Sequence, residues 1–425
     1  MHSTGDRARR VGRLAFTALV IASSVVALAG CASAGASSNG GKTVLKVYGW
    51  KGGGTELANV AEVNQAFEKA NPDIKLDFQY VPANDTYTQK VQPELLAGKS
   101  ADVIMTDSSK VNTWGSVGYL EDLSSQPWTK NVLPAAKPFI TNKDKVYAEP
   151  MELIGISLYA NDALLKKAGI NAVPVTWPEF EADLQKVKDA GITPIALPNK
   201  GAWTGEAALN AIAASLVYQK DKNWDEKFVA GKANFSDWSS SVEQLMSLQD
   251  KGFVDYKNEL GVDEWSQGLS DFTAGKSAFY FQGAWNQSAI AKAGIDSRFI
   301  PWPATSSASE QPTANLFAGT MWSINAKSTV KSAAEKYLAF WADAKNAAPF
   351  LSAENAIAPF QGASSPSTDA TKTFVSTVES GNYRILPSNS WFNSTNEGTM
   401  GKQVQALMLG QITQKQFLDQ MNQLR

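Results

Sequence analysis

Histidine and cysteine are almost absent from this chain: the only histidine is His2 and the only cysteine is Cys31. A lone cysteine forms no internal disulfide. Beyond residue 31 there is neither imidazole nor thiol, so Ser-His-Asp and Cys-His catalysis are excluded there, as are zinc sites built on His or Cys. Arginine is scarce as well, and after residue 30 it occurs only as Arg298, Arg384 and Arg425. Recognition of a ligand carboxylate, as in an amino acid or peptide, would call for one of these. No basic block stands out, and the formal charge is −2, so nothing here attracts nucleic acid. Long apolar runs are missing after residue 30. The one at residues 14–29 is short for a bilayer span.

That apolar run follows Arg7, Arg9, Arg10 and Arg13, the order expected of a secretory signal. It ends in Leu28-Ala29-Gly30-Cys31, which resembles the lipobox of bacterial lipoproteins. The resemblance implies that residues 1–30 are removed and that Cys31 becomes a lipidated first residue. Two acyl chains would anchor it stably where one would be marginal. Ordinary cleavage after Ala32-Ser33-Ala34 would instead discard Cys31. Residues 31–42 are rich in Ser, Ala and Gly and read as a flexible tether.

The remainder has the composition of a packed α/β protein. Hydrophobic residues make up 44% and charged residues 19% of the chain, and 425 residues suggest two domains. Residues 44–48 read as a strand, followed by a glycine loop at Trp50-Lys51-Gly52-Gly53-Gly54 that fits neither GxGxxG nor a P-loop. An amphipathic helix is expected over 57–69, a strand over 74–81 and a helix over 86–96 that contains Pro93. A buried strand over 102–105 ends at Asp107. This βαβαβ order argues for a parallel sheet with helices on its faces. A strand is expected over 151–159, and Thr176-Trp177-Pro178-Glu179 has capping-box spacing before a helix. Further helices are expected near 206–218, 238–251, 265–273, 328–343, 398–409 and 413–424, and a strand over 317–325.

Residues 275–285 are the most telling stretch. Ala278 to Phe281 reads as a buried strand, Gly283 permits a tight turn or close approach, and Trp285 follows at once. Ligands of open α/β sheets sit beyond the carboxyl ends of strands. An indole delivered there suits stacking on something flat, although a core strand followed by a core Trp fits these eleven residues equally well.

Several segments together resemble the extracellular solute-binding proteins of ABC importers, in particular the sugar-binding group that includes maltose-binding protein. They are the first strand with Trp50 and Lys51, Ala101-Asp102-Val103, Leu158-Tyr159-Ala160-Asn161-Asp162, Ala168-Gly169-Ile170, residues 173–180, residues 275–285, and residues 319–325 with the helix of Ala333-Ala334. Ala160, where Asn is usual, and Pro93 depart from the pattern. The resemblance implies a two-lobed periplasmic-binding-protein-like fold of type II, each lobe a mostly parallel sheet flanked by helices. Residues 43–150 plus 316–345 would form the N-terminal lobe, and 151–315 plus 346–425 the C-terminal lobe. The chain would cross between lobes near 149–155, 313–316 and 343–349. A ligand would bind in the cleft, the lobes would close on it, and the closed form would meet a membrane permease. The implied protein is a monomer at the outer face of the bacterial cytoplasmic membrane, without cofactor or metal.

Thirteen tryptophans are more than a core needs. Indole faces cover the apolar faces of sugars, while carboxylates and amides bind their hydroxyls. The resemblance puts Trp285 under a sugar ring and Asp107 on a hydroxyl. Asp107 could equally be a helix N-cap. Trp50 and Lys51 in the first loop, Glu152 at the first crossing, and Trp203, Gln282, Trp322 and Trp391 complete the candidate set. An oligosaccharide is the expected ligand. A peptide or amino acid on the same fold is one alternative. A glycoside hydrolase is another, with Asp107 and Glu152 as its paired carboxylates.

Overall fold

The computed structural model describes residues 41–53, 59–82, 85–386, 391–392 and 394–425. The leader, Cys31, most of the tether and Gly54 lie outside them.

Strand β1 (Thr43–Gly49) buries Leu45 and Val47 and turns Lys46 to solvent, the alternation of a strand covered on one face. Helix α1 (Val60–Ala70) buries Val60, Val63 and Phe67, the spacing of one helical face. The expected residues 57 and 58 lie outside the described chain. Then come β2 (Ile74–Tyr80), α2 (Asp85–Ala97) with Pro93 inside it, the wholly buried β3 (Val103–Thr106), and α3 (Ser108–Ser116). Strands β4 (Glu149–Pro150) and β5 (Leu153–Asn161) are separated by Met151 and Glu152 alone. Helix α4 (Trp177–Asp189) opens with the predicted capping box: Glu179 N–H donates to Thr176 Oγ1 at 3.3 Å and Thr176 N–H to Glu179 Oε2 at 3.2 Å.

Next along the chain are β6 (Thr193–Ala196), α5 (Trp203–Ala213), α6 (Ser239–Asp250), α7 (Gln267–Thr273), β7 (Ser277–Gly283) and β8 (Ser297–Ile300). They are followed by β9 (Ala314–Ala318), β10 (Met321–Ile324), α8 (Lys331–Trp341), α9 (Ala344–Glu354), β11 (Tyr383–Ile385), α10 (Ser394–Met408) and α11 (Gln414–Met421).

Two large sheets result among the described residues, ordered β2-β1-β3-β10-β4 and β11-β9-β5-β7-β6, with β8 beside β5, and a small hairpin pairs residues 141–142 with 145–146. Both large sheets are mixed rather than mostly parallel. In the first, β1, β2 and β3 are parallel, but β10 runs antiparallel to β3 and to β4. In the second, β6 pairs parallel with β7 and β9 with β11, while β5 is antiparallel to β7, β8 and β9. The cause lies in how the chain changes sheets. The single strand expected over 317–325 is two strands: β9 belongs to the second sheet, and after Gly319 and Thr320 the chain enters the first as β10. Strands β4 and β5 make the opposite passage through Met151 and Glu152. These strands arrive directly, not over a crossover helix, so nothing enforces parallel pairing. The second passage falls at residues 319–320, slightly beyond the expected 313–316. Among the described residues no helix is long and apolar enough to cross a membrane.

Candidate functional site

Strand β7 delivers Trp285. A Cβ on Gly283 would overlap the six-membered ring of Trp285, so the glycine is what lets the indole fold back over the strand end. Trp285 then meets two other indoles. Its ring centroid lies 5.8 Å from that of Trp265 at 25° and 6.1 Å from that of Trp203 at 45°. Trp203 and Trp265 are 5.3 Å apart at 27°. Trp203 opens α5 directly after Ala202, whose φ of 70° lies in the left-handed region that costs a non-glycine residue about 1 kcal/mol. Trp203 and Trp285 are half-buried, and each keeps its indole N–H buried without a hydrogen-bond acceptor among the described residues. Trp265 is 58% exposed. It was expected to begin a helix, but α7 starts two residues later, leaving Trp265 in a turn. Asp263 Oδ1 holds that turn, accepting from Trp265 N–H at 3.2 Å and Ser266 N–H at 2.8 Å.

Two carboxyl groups lie on α5 and on the helix packed along it. Glu206 lies one helical turn after Trp203 on α5, buried, with its Oε1 accepting from Asn210 Nδ2 at 2.8 Å. Glu397 lies in the first turn of α10, which packs along α5. Burial, and then the nearby charge of Asp107, push the Glu397 carboxyl up to about 7. Burial, and then Glu397, push Glu206 well above the usual range. Both shifts follow from the cost of charge in low dielectric next to like charge.

Asp107 is the N-cap of α3. Its Oδ1 accepts from Lys110 N–H at 2.8 Å, and its Oδ2 pairs with Lys110 Nζ at 2.5 Å. The same ammonium stands 5.3 Å over the ring of Trp50, which is half-buried edge-on to Tyr87 at 4.8 Å. Asp107 and Trp50 therefore share one corner through Lys110.

Lys51 and Glu152 meet each other. Lys51 Nζ lies 2.8 Å from Glu152 Oε1 and 2.6 Å from Glu354 Oε2. Burial opposes the ammonium charge, but the two carboxylates outweigh it and hold the Lys51 pKa above its ordinary range. Glu152 Oε1 also accepts from Thr320 Oγ1 at 3.0 Å and Thr320 N–H at 3.3 Å. A Cβ on Gly319 would sit 2.5 Å from Glu152 Cγ. This group thus ties the first loop to both sheet-to-sheet passages. With Asp107 capping a helix and Glu152 bound to Lys51, the carboxylates considered as a hydrolytic pair are each already engaged.

Three candidates lie elsewhere. Gln282 is fully buried, donating from Nε2 to Glu264 O at 2.9 Å and accepting from Gly283 N–H at 2.9 Å, so its amide faces protein on both sides. Trp322 is fully buried against Tyr337 and Trp341, at 5.6 and 5.9 Å. Trp391 packs on Phe235 at 5.2 Å and donates its Nε1 hydrogen to Asp225 Oδ1 at 2.7 Å. None of these three side chains is more than 2% exposed in this structure.

Every arginine beyond residue 30 is also engaged: Arg298 with Asp162, Arg384 with Asp225, and Arg425 with the Asn422 carbonyl. A separate hollow of 490 Å³, lined by Ser215, Gln219, Lys220 and Glu310 among others, lies at the far end of α5 from Trp203.

The family model for bacterial extracellular solute-binding proteins matches residues 53–348. An ABC transporter extracellular-binding protein of Pyrococcus horikoshii is 24% identical over 365 residues, which is 81% of this chain and 78% of the relative. Among solved structures, a chitin oligosaccharide binding protein aligns with a TM-score of 0.73 at 21% identity, covering 91% of this chain and 98% of its own. A sugar transporter protein of Bacillus licheniformis, solved in complex with stachyose, aligns with a TM-score of 0.67 at 20% identity, covering 90% and 100%. These likenesses establish the two-lobed type II fold.

Proposed function

Because the chain belongs to the bacterial extracellular solute-binding proteins, we propose that it captures an oligosaccharide between its two lobes and passes it, unchanged, to the permease of an ABC importer. The first lobe comprises residues 43–150 and about 320–354, since β10 pairs with β3 and α9 packs on α1. The second comprises the intervening residues and the rest of the chain. The leader carries the protein to the outer face of the membrane, and lipid on Cys31 keeps it there as a monomer.

The observation that carries the ligand assignment is the cluster of Trp203, Trp265 and Trp285, with Glu206 one helical turn from Trp203. Indole faces and carboxylates suit the alternating C–H faces and hydroxyls of sugars. The engaged arginines leave no ready partner for the carboxylate of an amino acid or peptide. Relatives of the same fold that bind chitin oligosaccharide and stachyose support the same reading.

The test is a thermal-shift panel of raffinose, stachyose, chitin oligosaccharides, amino acids and peptides. A ligand at 100 times its Kd stabilises by about 2.7 kcal/mol. Shifts with amino acids or peptides and none with sugars reverse the assignment. Recovery of cleaved sugar after long incubation makes the protein a hydrolase instead.

A further inference from the structure

The turn that carries Trp265 is tied to the segments carrying the other two indoles. Glu264, next to Trp265 and 2% exposed, accepts the Gly201 N–H on its Oε1, two residues before Trp203. Its carbonyl accepts from Gln282 Nε2 at 2.9 Å, and Gln282 Oε1 accepts from Gly283 N–H at 2.9 Å, two residues before Trp285. One buried carboxylate and one buried amide thus join three loops that are distant in sequence. Each loop presents an indole within about two residues of its tie.

Resting on the sugar reading above, we infer that Trp265 is the outer ring of a pre-organised three-indole platform. Glu264 and Gln282 are the positioning residues that fix it, and the site thereby favours longer saccharides over short ones. Trp265 turns one side to its two partners and leaves 58% of its surface to solvent. A short saccharide seated at Trp203 and Trp285 does not reach the outer face of Trp265, whereas a longer one does. Fixing the rings beforehand removes the ordering cost that loose aromatic loops would pay on binding.

The experiment is calorimetric titration with two graded series, chitin oligosaccharides of two to five rings and melibiose, raffinose and stachyose. Wild-type protein is expected to bind more tightly as length grows. Trp265→Ala is expected to weaken the longest member about tenfold and the shortest less than about threefold, the scale of one aromatic contact. An equal loss at every length, or a gain in affinity, overturns the inference and leaves sugar capture standing. No binding of any member to wild-type protein overturns the sugar reading and this inference together.

The brace is read without ligand by ¹⁹F NMR of protein labelled with 5-fluorotryptophan. Glu264→Ala is expected to move or broaden the Trp203, Trp265 and Trp285 resonances, to leave that of Trp391 in place, and to flatten the length dependence. Glu264→Gln, which keeps an acceptor for Gly201, is expected to restore both. Unchanged resonances for the three indoles in Glu264→Ala contradict the positioning role.

Discussion

Lys51 and Glu152 lie 101 positions apart and meet at 2.8 Å, with the ammonium shared by Glu354. Glu152 is 2% and Glu354 7% exposed, so the lysine neutralises carboxylates that water scarcely reaches. Removing one partner of such a pair strands the other charge. Lys51→Met is therefore expected to lower unfolding free energy by about 3 kcal/mol. Glu152→Gln, which keeps an oxygen for Thr320 and leaves Lys51 bound to Glu354, is expected to cost less than half as much. Urea melts of the two variants give the comparison. A Lys51→Met midpoint equal to wild type would mean the group is solvated and carries no such strain.

Gly283 fixes where Trp285 stands. In Gly283→Ala the new methyl competes with the indole ring for the same space, so the ring must rotate off the strand end. Overpacking of this kind costs about 1–3 kcal/mol. Sugar affinity is expected to fall at least about tenfold as the platform is displaced. Tight binding by Gly283→Ala, measured calorimetrically, would show that the site does not depend on this placement of the ring.

The acid pair of Glu206 and Glu397 sets a pH dependence. Glu397 is raised from 4.5 to about 7 by burial and Asp107, and Glu206 is raised by burial and Glu397. A carboxyl whose folded pKa exceeds its unfolded value favours folding at pH below the unfolded value. That contribution is lost as pH climbs through the folded value. Stability is thus expected to decline from about pH 4.5 to about pH 8. Glu397→Gln should flatten this decline and raise stability at pH 8 by about 1–2 kcal/mol. Glu259, also raised to about 7 by burial, leaves a residual slope of the same sign. Urea midpoints across this range decide it, and a steeper decline in Glu397→Gln would contradict the assignment.

Local signals in the sequence were sound guides. The capping box at Thr176 and Glu179 forms as spaced, and strand 278–281 followed by Gly283 and Trp285 forms as β7 and its indole. Signals that depend on distant partners were not legible. Nothing in the sequence neighbourhoods of Lys51 and Glu152 reveals that they pair with each other. Trp322 and Trp391 looked available because tryptophan is abundant, yet both are buried, the first against Tyr337 and Trp341 and the second against Phe235. Trp265 was hidden by the helical pattern that follows it, and only its stacking on Trp203 and Trp285 marks it. The mixed character of both sheets was likewise invisible, since the two-residue breaks at residues 151–152 and 319–320 bring an antiparallel strand into each.

The most direct measurement is the Kd of the best-binding oligosaccharide for wild-type protein and for Trp285→Ala. An indole beneath a sugar ring predicts a loss of at least about tenfold with little change in the urea midpoint of the ligand-free protein. Undiminished affinity in Trp285→Ala would contradict it.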